Sequence, residues 1–200
     1  MTKPDVVLLD LGNVLISIDP AAFSRTLGLD HEESRGRYRK NVIDLVHQYE
    51  AGAIASPEYF DRLGAVFEGK FSRQELSGAM LNVIGKPIEG MEDLVRSISG
   101  RTTLGLVSNT NELHFDHCRA SFPVLKSFHH FFLSYRMKCL KPDPEYYRHV
   151  VQSLDIDPPQ ILFVDDLPEN TRAAEKAGMR ALLFSTTAEL ERVFPSLSLL

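Results

Sequence analysis

Short apolar runs without polar alternation recur along this chain, and they constrain its fold more than any other feature. Val6–Leu9, Thr103–Val107, Ile161–Val164 and Ala181–Phe184 are such runs, and "FHHFFLSY" (Phe128–Tyr135) is a weaker one. A strand with one wet face alternates polar and apolar residues, whereas a strand covered on both faces need not. Continuous β-rich runs therefore suit a parallel sheet. Helical stretches stand between them. Pro87–Ser99 is closed by Gly100, Pro144–Leu154 opens with proline in its first turn, and Glu169–Ala177 is closed by Gly178. The alternation predicts an α/β fold with a doubly wound parallel sheet and right-handed crossovers.

The texture changes between the first and second strands. Residues 17–84 hold no convincing strand but several helix starts. Asp30 with Glu33 and Ser72 with Glu75 have capping-box spacing, and Ser56-Pro57 opens a helix over Pro57–Phe67 with Phe60, Leu63 and Phe67 on one face. About 70 residues are too many for an ordinary crossover. The expectation is an all-helical cap at 17–84 inserted into a core made of 1–16 and 85–200.

With 200 residues and 44% hydrophobic content the chain can bury one good core plus such an insert. Its 27 acidic residues outnumber its 22 Lys and Arg, which form no long block, so nucleic acid and anionic membrane surfaces are not expected partners. The opening "MTKPD" has no signal-peptide pattern, no run approaches membrane-spanning length, and Cys118 and Cys139 make no disulfide framework. A cytoplasmic location is expected.

Ligands of open parallel sheets bind beyond the carboxyl ends of the strands, and polar residues collect at those ends here. Asp10 follows the first run, Ser108-Asn109 the second and Asp165-Asp166 a later one, with Lys141 just ahead of a helix. Carboxylates converging from separate strands repel one another, and a hard cation such as Mg²⁺ offsets that repulsion. Lys141, the Ser108 hydroxyl and the Asn109 amide supply donors for an anion with several oxygens. Together these groups point to phosphoryl transfer on a small phosphorylated molecule. Any one of them alone is more often a turn or cap residue; joint placement carries the argument. His114, His117 and Cys118 imitate metal-ligand spacing, but no second ligand pair accompanies them, and a helix face is the expected role. Arg35, Arg37, Arg39 and Lys40 read as a solvated basic face.

Four segments, "DLGNVL" at Asp10, "VSNT" at Ser108, "KPDPEYY" at Lys141 and "VDDLPEN" at Asp165-Asp166, resemble in order and context the motifs of the haloacid dehalogenase-like hydrolases. The resemblance covers essentially the whole chain and implies a Rossmann-like core with a helical cap and Mg²⁺-dependent phosphatase activity. The wording, with "HQYEAG" in the cap, is most similar to bacterial sugar-1-phosphate phosphatases. The resemblance makes Asp10 the nucleophile and a metal ligand, Asp166 the second direct ligand, Asp165 outer-sphere, and the Gly12 carbonyl a further ligand. It assigns phosphoryl oxygens to Ser108 and Lys141, and an orienting role to Asn109.

The departure is Gly12. Most phosphatases of this superfamily carry an aspartate there, which protonates the leaving group; Asp19 or a cap side chain is then the alternative proton source. Asn13 takes the usual turn glycine's place and tolerates positive φ. Lys138 stands where the family often has glycine. Two further readings stay open: a 2-haloacid dehalogenase, which also lacks the second aspartate but uses no metal, and a catalytically silent binding module.

Overall fold

The computed structural model describes residues 2–29 and 32–200. Strand β1 (Val6–Asp10) is followed by β2 (Ile16–Ile18), then by helices α1 (Ala21–Thr26), α2 (Glu32–Glu50), α3 (Ser56–Val66) and α4 (Arg73–Leu81), before β3 (Ile84–Pro87) returns the chain. The remainder alternates: α5 (Met91–Ser99), β4 (Thr103–Ser108), α6 (Glu112–Ser121), β5 (His130–Leu133), α7 (Ser134–Met137), α8 (Pro144–Leu154), β6 (Ile161–Asp165), α9 (Pro168–Lys176), β7 (Arg180–Leu183) and α10 (Thr187–Val193).

Five strands form one sheet in the order β5-β4-β1-β6-β7. Every pairing is parallel. This is the doubly wound α/β sheet the apolar runs predict. Alternate residues of β1 serve opposite faces: Val7 and Leu9 join one apolar cluster with Leu94 and Val95 of α5 and Phe115 of α6. Val6 and Leu8 join another with Tyr146 and Tyr147 of α8. Both faces are covered, which is why no alternation is visible in the sequence. Register brings the strand ends level, with Asp10 opposite Val107 and Leu9 opposite Val164.

Helices α1–α4 have an apolar cluster of their own, including Phe23, Tyr49, Tyr59, Phe60, Leu63, Phe67 and Met80. Tyr49 and Tyr59 stack with ring centroids 4.3 Å apart. The Ser72–Glu75 capping box forms in both directions. Asp30 lies outside the described residues, as do the side chains of Glu33, Arg35 and Arg37; Arg39 and Lys40 are exposed. Among the described residues no helix is long and apolar enough to cross a membrane.

Two features differ from the expectation. The segment 17–84 was expected to contain no strand, yet β2 and β3 pair antiparallel where the chain leaves and re-enters the sheet domain. Three and four residues, one of the strands reading Ile-Gly-Lys-Pro, are too few for a readable period. The helix expected from Pro87 starts instead at Met91, because the Ile88 amide bonds back to the Leu15 carbonyl and Gly90, at φ +77°, turns the chain into α5.

Candidate active site

β1, β4 and β6 are the three central strands, and their carboxyl ends carry Asp10, Ser108 and Asp165, all buried. Asp166 follows half-buried, and the chain brings Lys141 over from the start of α8. Asp143 caps α8 by accepting from the Glu145 amide at 2.9 Å, which ends the loop just after Lys141. All the expected acids and the expected lysine thus meet at one edge.

Lys141 is the hub. Its Nζ lies 2.8 Å from Asp10 Oδ1, donates to Asp165 Oδ2 at 2.6 Å and reaches the Val107 carbonyl at 3.3 Å. Burial disfavours its charge, but Asp10 and Asp165 outweigh that and hold it protonated with a raised pKa. Asn109 grips the lysine's backbone from both sides: its Nδ2 donates to the Lys141 carbonyl (2.9 Å) and its Oδ1 accepts from the Lys141 amide (2.8 Å).

Asp165 is consumed by the protein. Oδ2 takes Lys141, while Oδ1 accepts from the Leu167 amide (2.9 Å) and from Asn170 Nδ2 (2.8 Å). Asp166 accepts only a 3.2 Å bond from Asn13 Nδ2 among the side-chain bonds of the described residues. Asn13 sits at φ +53° and its Oδ1 also accepts from the Ile18 amide, so one residue makes the turn and ties it to the acid pair. At Gly12 the bridge to Ile16 is made by Asn13 N to the Ile16 carbonyl and Ile16 N to the Leu11 carbonyl, neither of which uses the Gly12 carbonyl.

Asp10, Asp165 and Asp166 each offer a carboxylate oxygen, all within 4.8 Å of one another. Burial, opposed by Lys141 and reinforced by Asp165, pushes Asp10 up to about 6. Burial also raises Asp166, against its bond from Asn13. Three carboxylates face one ammonium, an imbalance that oxygen coordination of a hard divalent cation would relieve. The donor set fits such a cation.

A cavity of about 880 Å³ lies over this edge, lined by Gly12, Ser108 and Asn109 below and by α2, α1 and α4 above. The segment 49–52 is fastened to the sheet domain. Tyr49 Oη accepts from the Leu113 amide (3.3 Å), Ser134 Oγ donates to the Glu50 carbonyl (2.6 Å) and Lys138 Nζ donates to the Gly52 carbonyl (2.5 Å). Lys138, at φ +60°, adopts the conformation a glycine would favour and adds a side chain that reaches the helical insert. Glu50 faces the cavity, and burial alone pushes its carboxyl up to about 7. Asp19, by contrast, is exposed and held low by Arg25, so it is ionised at neutral pH and is no proton source.

Glu50, Asn170, Ser134 and Ile18 were not singled out by sequence reasoning. Asn170 had a signal, in the "PEN" that follows the acid pair at helical spacing. Ser134 and Ile18 had none. His114 is a packing residue, as expected of a helix face: its Nε2–H meets the Met80 carbonyl at 3.0 Å and Asn111 Nδ2 donates to Nδ1 at 3.1 Å. Burial lowers it to about 4, so the imidazole is neutral.

The chain is similar to known proteins. The chain is 25% identical over 183 residues to a D-ribitol-5-phosphate phosphatase of Bacteroides thetaiotaomicron, covering 86% of this chain and 87% of that protein. It is 26% identical over 191 residues to the drimenol cyclase drtB of Aspergillus calidoustus, covering 93% of this chain; it spans only about a third (35%) of that protein's length. A HAD family enzyme of B. thetaiotaomicron, solved with magnesium and inorganic phosphate, superposes with a TM-score of 0.83 at 26% identity, covering 97% of this chain and 100% of that one. The family model described as haloacid dehalogenase-like hydrolase matches residues 4–178. With the carboxylates, the lysine and the strand ends that carry them in the expected order, the chain belongs to the haloacid dehalogenase-like hydrolases.

Proposed function

We propose that this hydrolase is a Mg²⁺-dependent phosphatase that cleaves a small phosphomonoester through an aspartyl-phosphate on Asp10, with the helical insert serving as its cap. The observation that carries this reading is the cluster of buried Asp10, Lys141 and Asp165 with half-buried Asp166, three acids around one ammonium. Asp10 Oδ attacks phosphorus as the bond to the leaving oxygen breaks, and the departing alkoxide or phenoxide takes a proton from solvent water, since position 12 carries no acid. Water then attacks the same phosphorus, releasing inorganic phosphate and regenerating the carboxylate. Lys141 and the Ser108 hydroxyl donate to the phosphoryl oxygens, and Lys141 steadies Asp10 before attack. Asp10, the Gly12 carbonyl and Asp166 would hold the metal directly, with Asp165 behind them fixing Lys141. Mg²⁺, when bound, supplies positive charge for the transferring phosphoryl group.

The magnesium and phosphate bound by the HAD family relative support the cofactor and the substrate's reacting group. A sugar phosphate as substrate finds support in the D-ribitol-5-phosphate phosphatase relative. Against dehalogenation stands Asp166, a half-buried carboxylate that clusters with Asp10 and Asp165 and adds negative charge that a cation would offset. Phosphate release from phenyl phosphate, with and without Mg²⁺ and with Asp10→Asn as control, tests the proposal. Metal-dependent release that the substitution abolishes is expected; release that survives Asp10→Asn above a few per cent would remove Asp10 as nucleophile.

A further inference from the structure

The cavity beside the Asp10 edge is walled mostly by hydrocarbon, with Ser24, Tyr38, His47 and His114 as polar interruptions. On its α2 side Arg39, Val42, Val46 and Glu50 recur at three- and four-residue spacing, so one stripe of that helix forms the roof. Phe23 of α1 and Met80 of α4 close the far wall. Ile43, at the mouth, is one of the few large apolar residues that stay exposed, at 42%. Among the described residues Arg39 and Glu50 are the guanidinium and carboxylate side chains on this surface, and burial pushes the Glu50 carboxyl up to about 7. The donors Ser108 and Asn109 lie together on the floor, beside the reacting edge.

The leaving-group side has the same character. A Cβ on Gly12 would stand 3.1 Å from Ile18 Cγ1, so an isoleucine occupies the space into which an acid at position 12 would project. Ile18 is also part of the cavity wall. A polyol lying along Ile18, Phe23, Val42 and Val46 would leave hydroxyls facing apolar side chains, and an unpaired buried hydroxyl weakens binding. A hydrocarbon body would instead remove apolar wall from water along its whole length.

We propose, on the reading of this site as a phosphatase, that its substrate is a phosphomonoester of a hydrophobic alcohol or phenol, with the phosphate at Asp10 and the apolar body in the chamber under α2. At about 880 Å³ the chamber is near the upper end for small-molecule sites, of size suited to a long chain or a substituted ring.

The para-alkylphenyl phosphates test this directly, because lengthening the alkyl group leaves the phenol's acidity nearly constant. From phenyl to octylphenyl phosphate, kcat/KM is expected to rise roughly three- to fourfold per methylene buried, levelling off when the chamber is full. Val46→Asn should reduce the octylphenyl-to-phenyl ratio by roughly tenfold. A flat series in an enzyme that turns over phenyl phosphate would overturn the proposal and leave the phosphatase reading intact. So would faster turnover of ribitol 5-phosphate or glucose 1-phosphate than of octylphenyl phosphate. If no ester is cleaved, the phosphatase reading fails, and calorimetry with octylphosphonate against methylphosphonate in the presence of Mg²⁺ reads the chamber alone. Tighter octylphosphonate binding by at least about a hundredfold, with a negative heat-capacity change, supports an apolar site; equal affinities contradict it.

Discussion

Gly12 and Ile18 occupy each other's options. Adding a carboxylate at position 12 forces Ile18 to move, so Gly12→Asp alone should destabilise the fold by roughly 1–3 kcal/mol through overpacking. The double variant Gly12→Asp/Ile18→Ala makes room. A missing general acid typically costs about 10²–10⁴-fold, more for basic leaving groups, so wild-type rates should depend steeply on leaving-group acidity and the double variant's less so. Rates for a series of substituted phenyl and alkyl phosphates check this. A wild-type enzyme already insensitive to leaving-group pKa would mean that another group, with Glu50 the first to examine, donates the proton. Glu50 has its own signature in stability. Its folded pKa of about 7 lies above the ordinary 4.5, so between these values the folded form keeps a proton that the unfolded form has lost. Stability contributed at this position therefore falls as pH rises from about 4.5 to 7 and is level beyond. Glu50→Gln should match the wild type below pH 4.5 and exceed it above pH 7 by up to about 3 kcal/mol. Denaturant unfolding of both proteins across this range decides it; a pH-independent difference would place the carboxyl in water. The acid pair divides similarly: Asp166→Ala should weaken Mg²⁺ binding more than Asp165→Ala, whose larger effect should be on stability, because it strips a partner from buried Lys141. Metal titration and thermal unfolding of the two variants separate these losses.

At the level of elements, the loop before α8 depends on Asn109 at the end of β4. Asn109→Ala removes both bonds that hold the Lys141 backbone, and a displaced lysine is expected to lower kcat by up to about 10²-fold with a smaller change in KM. Steady-state kinetics showing the reverse pattern would assign Asn109 to substrate binding. Which elements were legible in the sequence follows from their length and burial. β1, β4 and β6 announce themselves as unbroken apolar runs because both faces of each are covered, and α8 announces itself through Asp143-Pro144 and its boundaries. β2 and β3 were not legible: "ISI" and "IGKP" owe their pairing to each other across the whole insert, a contact no local pattern records. Three of the four site segments were legible because each is a polar residue at the end of an apolar run, and Lys141 because it stands just ahead of a helix opened by Pro144. The Ser134–Glu50 and Lys138–Gly52 links were not, since neither serine nor lysine signals which distant carbonyl it will meet.

Taken whole, the molecule joins a sheet that presents charge at one edge to a helical layer that presents hydrocarbon above it. The order of the strands puts β1 at the centre, so Asp10 lies between the Ser108 and Asp165 ends and every other group acts on it. The central claim is that Asp10 takes the phosphoryl group. Acid-quenching the Mg²⁺-loaded enzyme within its first turnover of phenyl phosphate, followed by peptide mass spectrometry, measures it most directly. The expected result is one phosphoryl group on the peptide containing Asp10, absent in Asp10→Asn and lost on brief incubation at alkaline pH as an acyl phosphate would be. Phosphate released at the full rate with no label on Asp10, or a phosphoryl group on any other side chain, would contradict the account.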